Sequence, residues 1–129
     1  MGRKLETIKV RRDFLRVAST GNRSAGPSMV VQAAPQTGGA GRVTRIRVGF
    51  TASRKVGNAV LRNRAKRRMR AAAARVLPIH GQPGTDYVLI ARATTANRPF
   101  AELIADLEAA LRRIGRARAQ RSSALTAER

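Results

Sequence analysis

Apolar residues recur along this chain at two spacings, and each spacing predicts a different element. Val10, Phe14 and Val17 fall at i, i+4 and i+7, one face of a helix over residues 10–19 that Gly21 is placed to end. A short apolar run at residues 29–33, between Pro27 and Pro35, predicts a strand. The polar, Gly-rich stretch 36–41 reads as a loop. Residues 45–52 alternate: Ile46, Val48 and Phe50 point one way, and Arg45, Arg47, Gly49 and Thr51 the other. That is a half-buried strand with a cationic outer face. The two strands, joined by the Gly-rich loop, are candidates for an antiparallel pair, with Val43 either extending the second or forming a short segment of its own.

A second helix is expected from residue 57 or 58 to residue 76, ended by Pro78. With about 100° per residue, Leu61, Ala65, Met69, Ala72 and Val76 gather into one stripe that should pack on the sheet. Residues 86–91 are apolar without interruption behind Asp86, as in a strand buried on both faces. A last helix should open near Pro99, bury Ile104, Leu107, Leu111 and Ile114, and stop at Gly115. Residues 1–9 read as a polar lead-in. The fold class is α+β: a single sheet of about four strands packed with three helices in the order α-β-β-β-α-β-α. One domain over residues 1–115 is expected, with a basic, disordered tail at 116–129.

Charge changes the picture more than length does. The 129 residues hold 27 Lys and Arg against 7 acids, a net charge of +20. Self-repulsion on that scale points to a polyanionic partner, with nucleic acid ahead of a membrane. No segment has the length and apolarity of a membrane span or of a signal peptide. The chain has no cysteine, so disulfides and thiolate metal sites are excluded, and a cytoplasmic setting is expected.

The charge is concentrated in the second helix, where six of the nine residues 62–70 are basic. On the wheel Arg62, Lys66 and Arg70 line one flank, Arg64 and Arg68 the other, and Asn63 and Arg67 lie toward solvent. A helix charged only for solubility mixes signs and gains i,i+4 pairs, whereas here like charges stack. Arg54 and Lys55 add charge at the helix start. Gly57-Asn58 there supports two readings, an ordinary turn and cap or an anion site on free helix amides.

Protein-borne catalysis finds little to work with. The acids Glu6, Asp13, Asp86, Glu102, Asp106, Glu108 and Glu128 are scattered, and the one histidine, His80, falls in an expected Pro/Gly-rich loop. Asp106 and Glu108 do not share a helical face. No P-loop or metal-ligand spacing is present.

The stretch 47–67, with Arg62-Asn63-Arg64-Ala65-Lys66-Arg67 at its centre, resembles the signature region of the protein subunit of bacterial ribonuclease P. Asp13-Phe14 and the run Asp86–Arg92 fit the same family. The resemblance implies a left-handed βαβ crossover around the basic helix, and a role in removing the 5′ leader of precursor tRNA. It implies a catalytic RNA that holds the Mg2+ ions and the active site, with no catalytic residue and no metal ligand in the protein and one protein per RNA. Carried over, Arg54, Lys55, Asn58, Arg62, Asn63, Arg64, Lys66, Arg67, Arg68 and Arg70 would face the catalytic RNA. Lys9, Phe14, Arg45 and Arg47 would line a cleft for the leader. Ala18 and Gln32 stand where many relatives carry aromatics, so this cleft would stack bases less and rely more on charge. Phe14 remains open between cleft and core. A structural or ribosomal RNA-binding protein is the alternative that composition alone allows. A DNA-binding helix lacks a helix-turn-helix partner here.

Overall fold

The computed structural model describes residues 5–36 and 45–127, with side chains for all of these but Thr20 and 117–127. The expected Gly-rich loop and the segment around Val43 fall mostly or wholly outside the described residues. The elements are β1 (Leu5–Thr7), α1 (Arg11–Thr20), β2 (Asn22–Ala25), β3 (Met29–Pro35), β4 (Ile46–Thr51), a single 3₁₀ turn (Arg54–Val56), α2 (Ala59–His80), β5 (Thr85–Ala91) and α3 (Phe100–Ala127). They form one five-stranded sheet in the order β1-β4-β5-β3-β2. The α+β class and the three helices agree with the sequence, and the sheet has one strand more than the four expected. Strand β1 lies in the supposed lead-in, and β2 follows α1 directly.

The expected β3–β4 hairpin does not form. β5 inserts between them, antiparallel to β3 and parallel to β4. The uninterrupted apolar run explains this: Tyr87, Val88 and Leu89 are all buried, so β5 takes the place that is covered on both faces. Tyr87 keeps its hydroxyl satisfied by accepting the Gln82 N–H at 2.9 Å.

One face of the sheet (Met29, Val31, Ile46, Val48, Tyr87, Leu89) packs under α2 and α3. Helix α2 contributes Ala65, Met69, Ala72, Ala73, Val76 and Leu77, close to the stripe read from the wheel, while Leu61 at its start is half-buried. Helix α3 contributes Leu103, Leu107, Ala110, Leu111 and Ile114, with Ile104 at the margin. The other face (Ala34 and Val88, with Ile90 at the margin) packs with Ile8 and with Val17 of α1. In α1 only Val17 of the expected trio is fully buried; Val10 precedes the helix and is 50% exposed.

Two helix ends differ from expectation. α2 runs past Pro78 to His80, where Gly81 N–H closes onto the Leu77 carbonyl at 2.8 Å. Proline forfeits one backbone bond near the end of a helix, and the burial of Val76 and Leu77 holds the last turn in place. His80 therefore ends a helix rather than sitting in a loop. Helix α3 continues through Gly115, whose open surroundings impose no turn.

The β4–α2–β5 unit joins two parallel neighbours, and one hydrogen bond gives its hand. Ile8 N–H donates to the Val48 carbonyl at 3.0 Å, so the Val48 backbone points to β1 and away from β5. The Val48 side chain lies in the core shared with α2. Seen from its side-chain face with the chain running upward, an extended L residue points its N–H and C=O to the right. β5 thus lies to the left of β4 while α2 crosses in front. The crossover is left-handed, against the usual rule.

Candidate nucleic-acid interface

The basic helix is launched by a tight sequence of local devices. Ser53 Oγ accepts the Lys55 N–H, and Gly57 turns the chain at φ 142°, in a region closed to most side chains. Asn58 then caps the helix, its Oδ1 accepting the Leu61 N–H at 2.9 Å. The first turn of α2 carries no acid. With Ala65, Met69 and Ala72 buried, Asn63, Arg64, Arg67 and Arg70 are left exposed and Arg62 and Lys66 half-exposed. Arg54, Lys55 and Asn58 are exposed at the same end. Arg70 is steadied by its guanidinium over the Phe50 ring, 5.4 Å from the centroid.

Arg68 is placed differently. Its guanidinium donates to the carbonyls of Ala96 (3.4 Å) and Arg98, fastening α2 to the connection between β5 and α3. Sequence spacing put it on a cationic flank and carried no sign of those carbonyls, which lie 28 and 30 residues away.

The acids are all engaged elsewhere. Glu6 pairs with Arg45, Asp13 and Asp86 with Arg16 and Arg47, Glu102 and Asp106 with Arg98, and Glu108 with His80. These are the six acids whose side chains are described. Apart from His80, no α2 side chain among the described residues has an acidic partner. The cationic face of α2 is therefore uncompensated.

The expected cleft lies on the α1 side of the sheet. Phe14 sits on Gly49: a Cβ at Gly49 would come within 2.5 Å of its ring. Phe14 packs against the Ile8–Val17–Val88 cluster while staying half-exposed, so it sits at the core margin with part of its ring open to solvent. Gln32 is buried in the floor, and Ala18 is exposed on the helix above. Lys9 is exposed at the mouth, as are Arg11 and Arg12. The sequence pattern did not single out those two arginines, although they continue the basic run from Lys9.

Arg47 enters the cleft already paired. Its Nε and Nη2 donate to the two carboxylate oxygens of fully buried Asp86 at 2.8 and 2.6 Å, and Nη1 lies 3.5 Å from Asp13. Hydrogen bonding to Asp86, with the field of Asp86 and Asp13, raises its pKa against the opposing effect of burial. Arg16 donates to Asp86 as well and to the Pro35 carbonyl at 2.8 Å. These groups tie α1 to the sheet and cancel much of their own charge. Arg45, 62% exposed, pairs with Glu6 at 3.0 Å at the sheet margin.

A family model described as Ribonuclease P matches residues 3–115. The chain belongs to the ribonuclease P protein family. A ribonuclease P protein component from Paramagnetospirillum magneticum is 50% identical over 115 residues, covering 89% of this chain and 86% of its own length. One from Ruegeria pomeroyi is 54% identical over 111 residues, covering 85% and 86%. The solved ribonuclease P protein of Staphylococcus aureus matches with a TM-score of 0.68 at 30% identity, over 84% of this chain and 94% of that one. That of Thermotoga maritima matches at 0.65 and 26%, over 86% and 96%. The chain is thus a subunit of the tRNA-processing endoribonuclease, and its partner is an RNA. No helix among the described residues is long and apolar enough to cross a membrane.

Proposed function

We propose that α2 and the turn before it bind the catalytic RNA, one protein per RNA, in a cytoplasmic ribonucleoprotein. Arg54, Lys55, Asn58, Arg62, Asn63, Arg64, Lys66, Arg67 and Arg70 form the contact. The cleft under α1 receives the 5′ leader of precursor tRNA. The observation that carries this reading is the division of charge: every described acid is paired away from α2's cationic face, so its arginines keep their forks for phosphate. In the cleft, Lys9 and half-exposed Phe14 meet the leader, Arg47 holds the floor in shape, and Arg45 adds a rim charge. The leader is gripped more by charge than by stacking, since Ala18 and Gln32 offer no ring.

The Mg2+ ions are held mainly by the RNA. Among the described residues no three His, Asp or Glu side chains converge, and Asp13 and Asp86 already accept from arginines. The protein's part is to neutralise phosphates that would otherwise repel and to orient the leader.

The deciding experiment combines the full chain with a bacterial ribonuclease P RNA and precursor tRNA at low Mg2+. Leader removal should be efficient only with both components. A folded protein that gives no stimulation overturns the reading.

A further inference from the structure

A second cationic site lies at the far edge of the sheet from α2. Strand β2 is the edge strand, and α3 runs beside it. Between them is a pocket of about 540 Å3, lined by Gly21, Asn22, Arg23, Ser24, Arg113 and Ile114, among others. That volume suits a single nucleotide.

Three features of the pocket point to a ligand. Arg113 is held in place by its Nε, which donates to buried Ser24 Oγ at 2.8 Å. Its terminal nitrogens have no acidic partner among the described residues, whereas Arg16, Arg45, Arg47 and Arg98 all do. An anchored guanidinium with free terminal donors is a preformed fork for a phosphate. Arg23, exposed on the edge strand that lines the pocket, adds a second cation from the other face of that strand, and exposed Arg112 and Arg116 stand on the neighbouring α3 surface. Finally, Asn22 Oδ1 is buried at the pocket wall with no hydrogen-bond partner. A buried acceptor left unpaired is destabilising, and a donor from a bound molecule would satisfy it.

We propose that this pocket binds one nucleotide of single-stranded RNA, its phosphate on Arg113 and an amino or hydroxyl donor of the nucleotide on Asn22, with Arg23 adding to the local positive field. The proposal rests on the reading that the chain binds RNA, and it adds a contact on the opposite edge of the sheet from α2. RNA that reaches both sites must pass around the molecule, so the two contacts together would fix the protein's orientation as well as its affinity.

The chain has no cysteine, so Ala25→Cys, at an exposed position beside the pocket, carries a unique photocrosslinker. In the reconstituted ribonucleoprotein it should crosslink to RNA, and adding Arg113→Gln should reduce the yield several-fold. Ala71→Cys, exposed on α2, is the control for the other site. With a short fluorescent single-stranded RNA, Arg113→Gln should lower the salt slope of binding by about one unit. Arg113→Lys keeps the charge and loses the fork, so it should retain the slope while weakening binding. Crosslinking from position 71 without any from 25, or an unchanged slope in folded Arg113→Gln, overturns the pocket and leaves the α2 reading standing. A thermal shift by inorganic phosphate that vanishes in Arg113→Gln, with the RNA slope unaltered, would reveal a free-anion site and also overturns it. Loss of RNA binding only on changing α2 overturns the pocket in the same way, whereas no RNA binding by the unmodified chain overturns the underlying reading.

Discussion

Arginine does two different jobs in this molecule, and the acceptor it meets decides which. Arg68 meets backbone carbonyls, Arg47 meets a buried carboxylate, and Arg64 meets solvent. Replacing Arg68 by alanine should therefore lower stability by about 1–3 kcal/mol, through the carbonyls left without donors. Arg64→Ala should stay within about 0.5 kcal/mol of the parent while weakening RNA binding. Urea titrations of both variants, read beside RNA affinity, check this; equal stability of the two would remove Arg68 from the fold's framework. Asp86 is the more demanding position. It is fully buried and serves two guanidinium groups, so Asp86→Ala strands both. Breaking a buried pair from one side costs about 3–5 kcal/mol, and the urea midpoint should fall accordingly. A loss below about 1 kcal/mol would mean that water reaches Arg16 and Arg47 and that the pairing is only of surface strength.

Elements were legible in the sequence where their pattern is local. The stripe of α2 survived because a 3.6-residue period needs only one chain segment, and the central place of β5 was foreshadowed by its unbroken apolar run. Strand pairing was not legible: β5 lies far along the chain from β3 and β4, and no local pattern says that it divides them. β1 and β2 are three- and four-residue edges rich in polar side chains, too short to show alternation. In the candidate site, the arginines of α2 could be read directly, while the capture of Arg47 by Asp86 depends on a partner 39 residues away. Phe14 was undecidable for the same reason. Its place depends on Gly49, an outer-face residue of β4 whose missing side chain makes room for the ring. Gly49→Ala should push Phe14 off the strand. That loosens α1 against the sheet and weakens leader-containing substrates more than mature tRNA. Amide exchange across α1, measured with affinity for the two RNAs, tests this; unchanged exchange would show that the ring does not need that space.

At the scale of the whole molecule, salt should act on the fold and on the complex with opposite signs. The net charge is +20, and the six described acids are paired away from the cationic α2 face, so much of that repulsion sits on one surface. Arg62, Lys66 and Arg70 follow one another at i,i+4, about 5–6 Å apart at Cβ. Those spacings lie within the Debye length of about 10 Å at 0.1 M salt and exceed the roughly 3 Å at 1 M. Raising salt should therefore screen the repulsion and raise the melting temperature of the free protein, even as it weakens RNA binding through loss of counterion release. Lys66 stands in the middle of the line, with a like charge one turn away on each side. Lys66→Gln removes two repulsive pairs of about 0.2–0.5 kcal/mol each and keeps much of the packing of the stem. The variant should melt higher than the parent at low salt, lose that advantage at high salt, and show a salt slope for RNA binding smaller by about one unit. Thermal scans at low and high salt beside RNA titrations make the comparison. If the variant melts lower than the parent at low salt, the α2 charges are not under strain in the free protein, and partner binding has no repulsion of theirs to relieve.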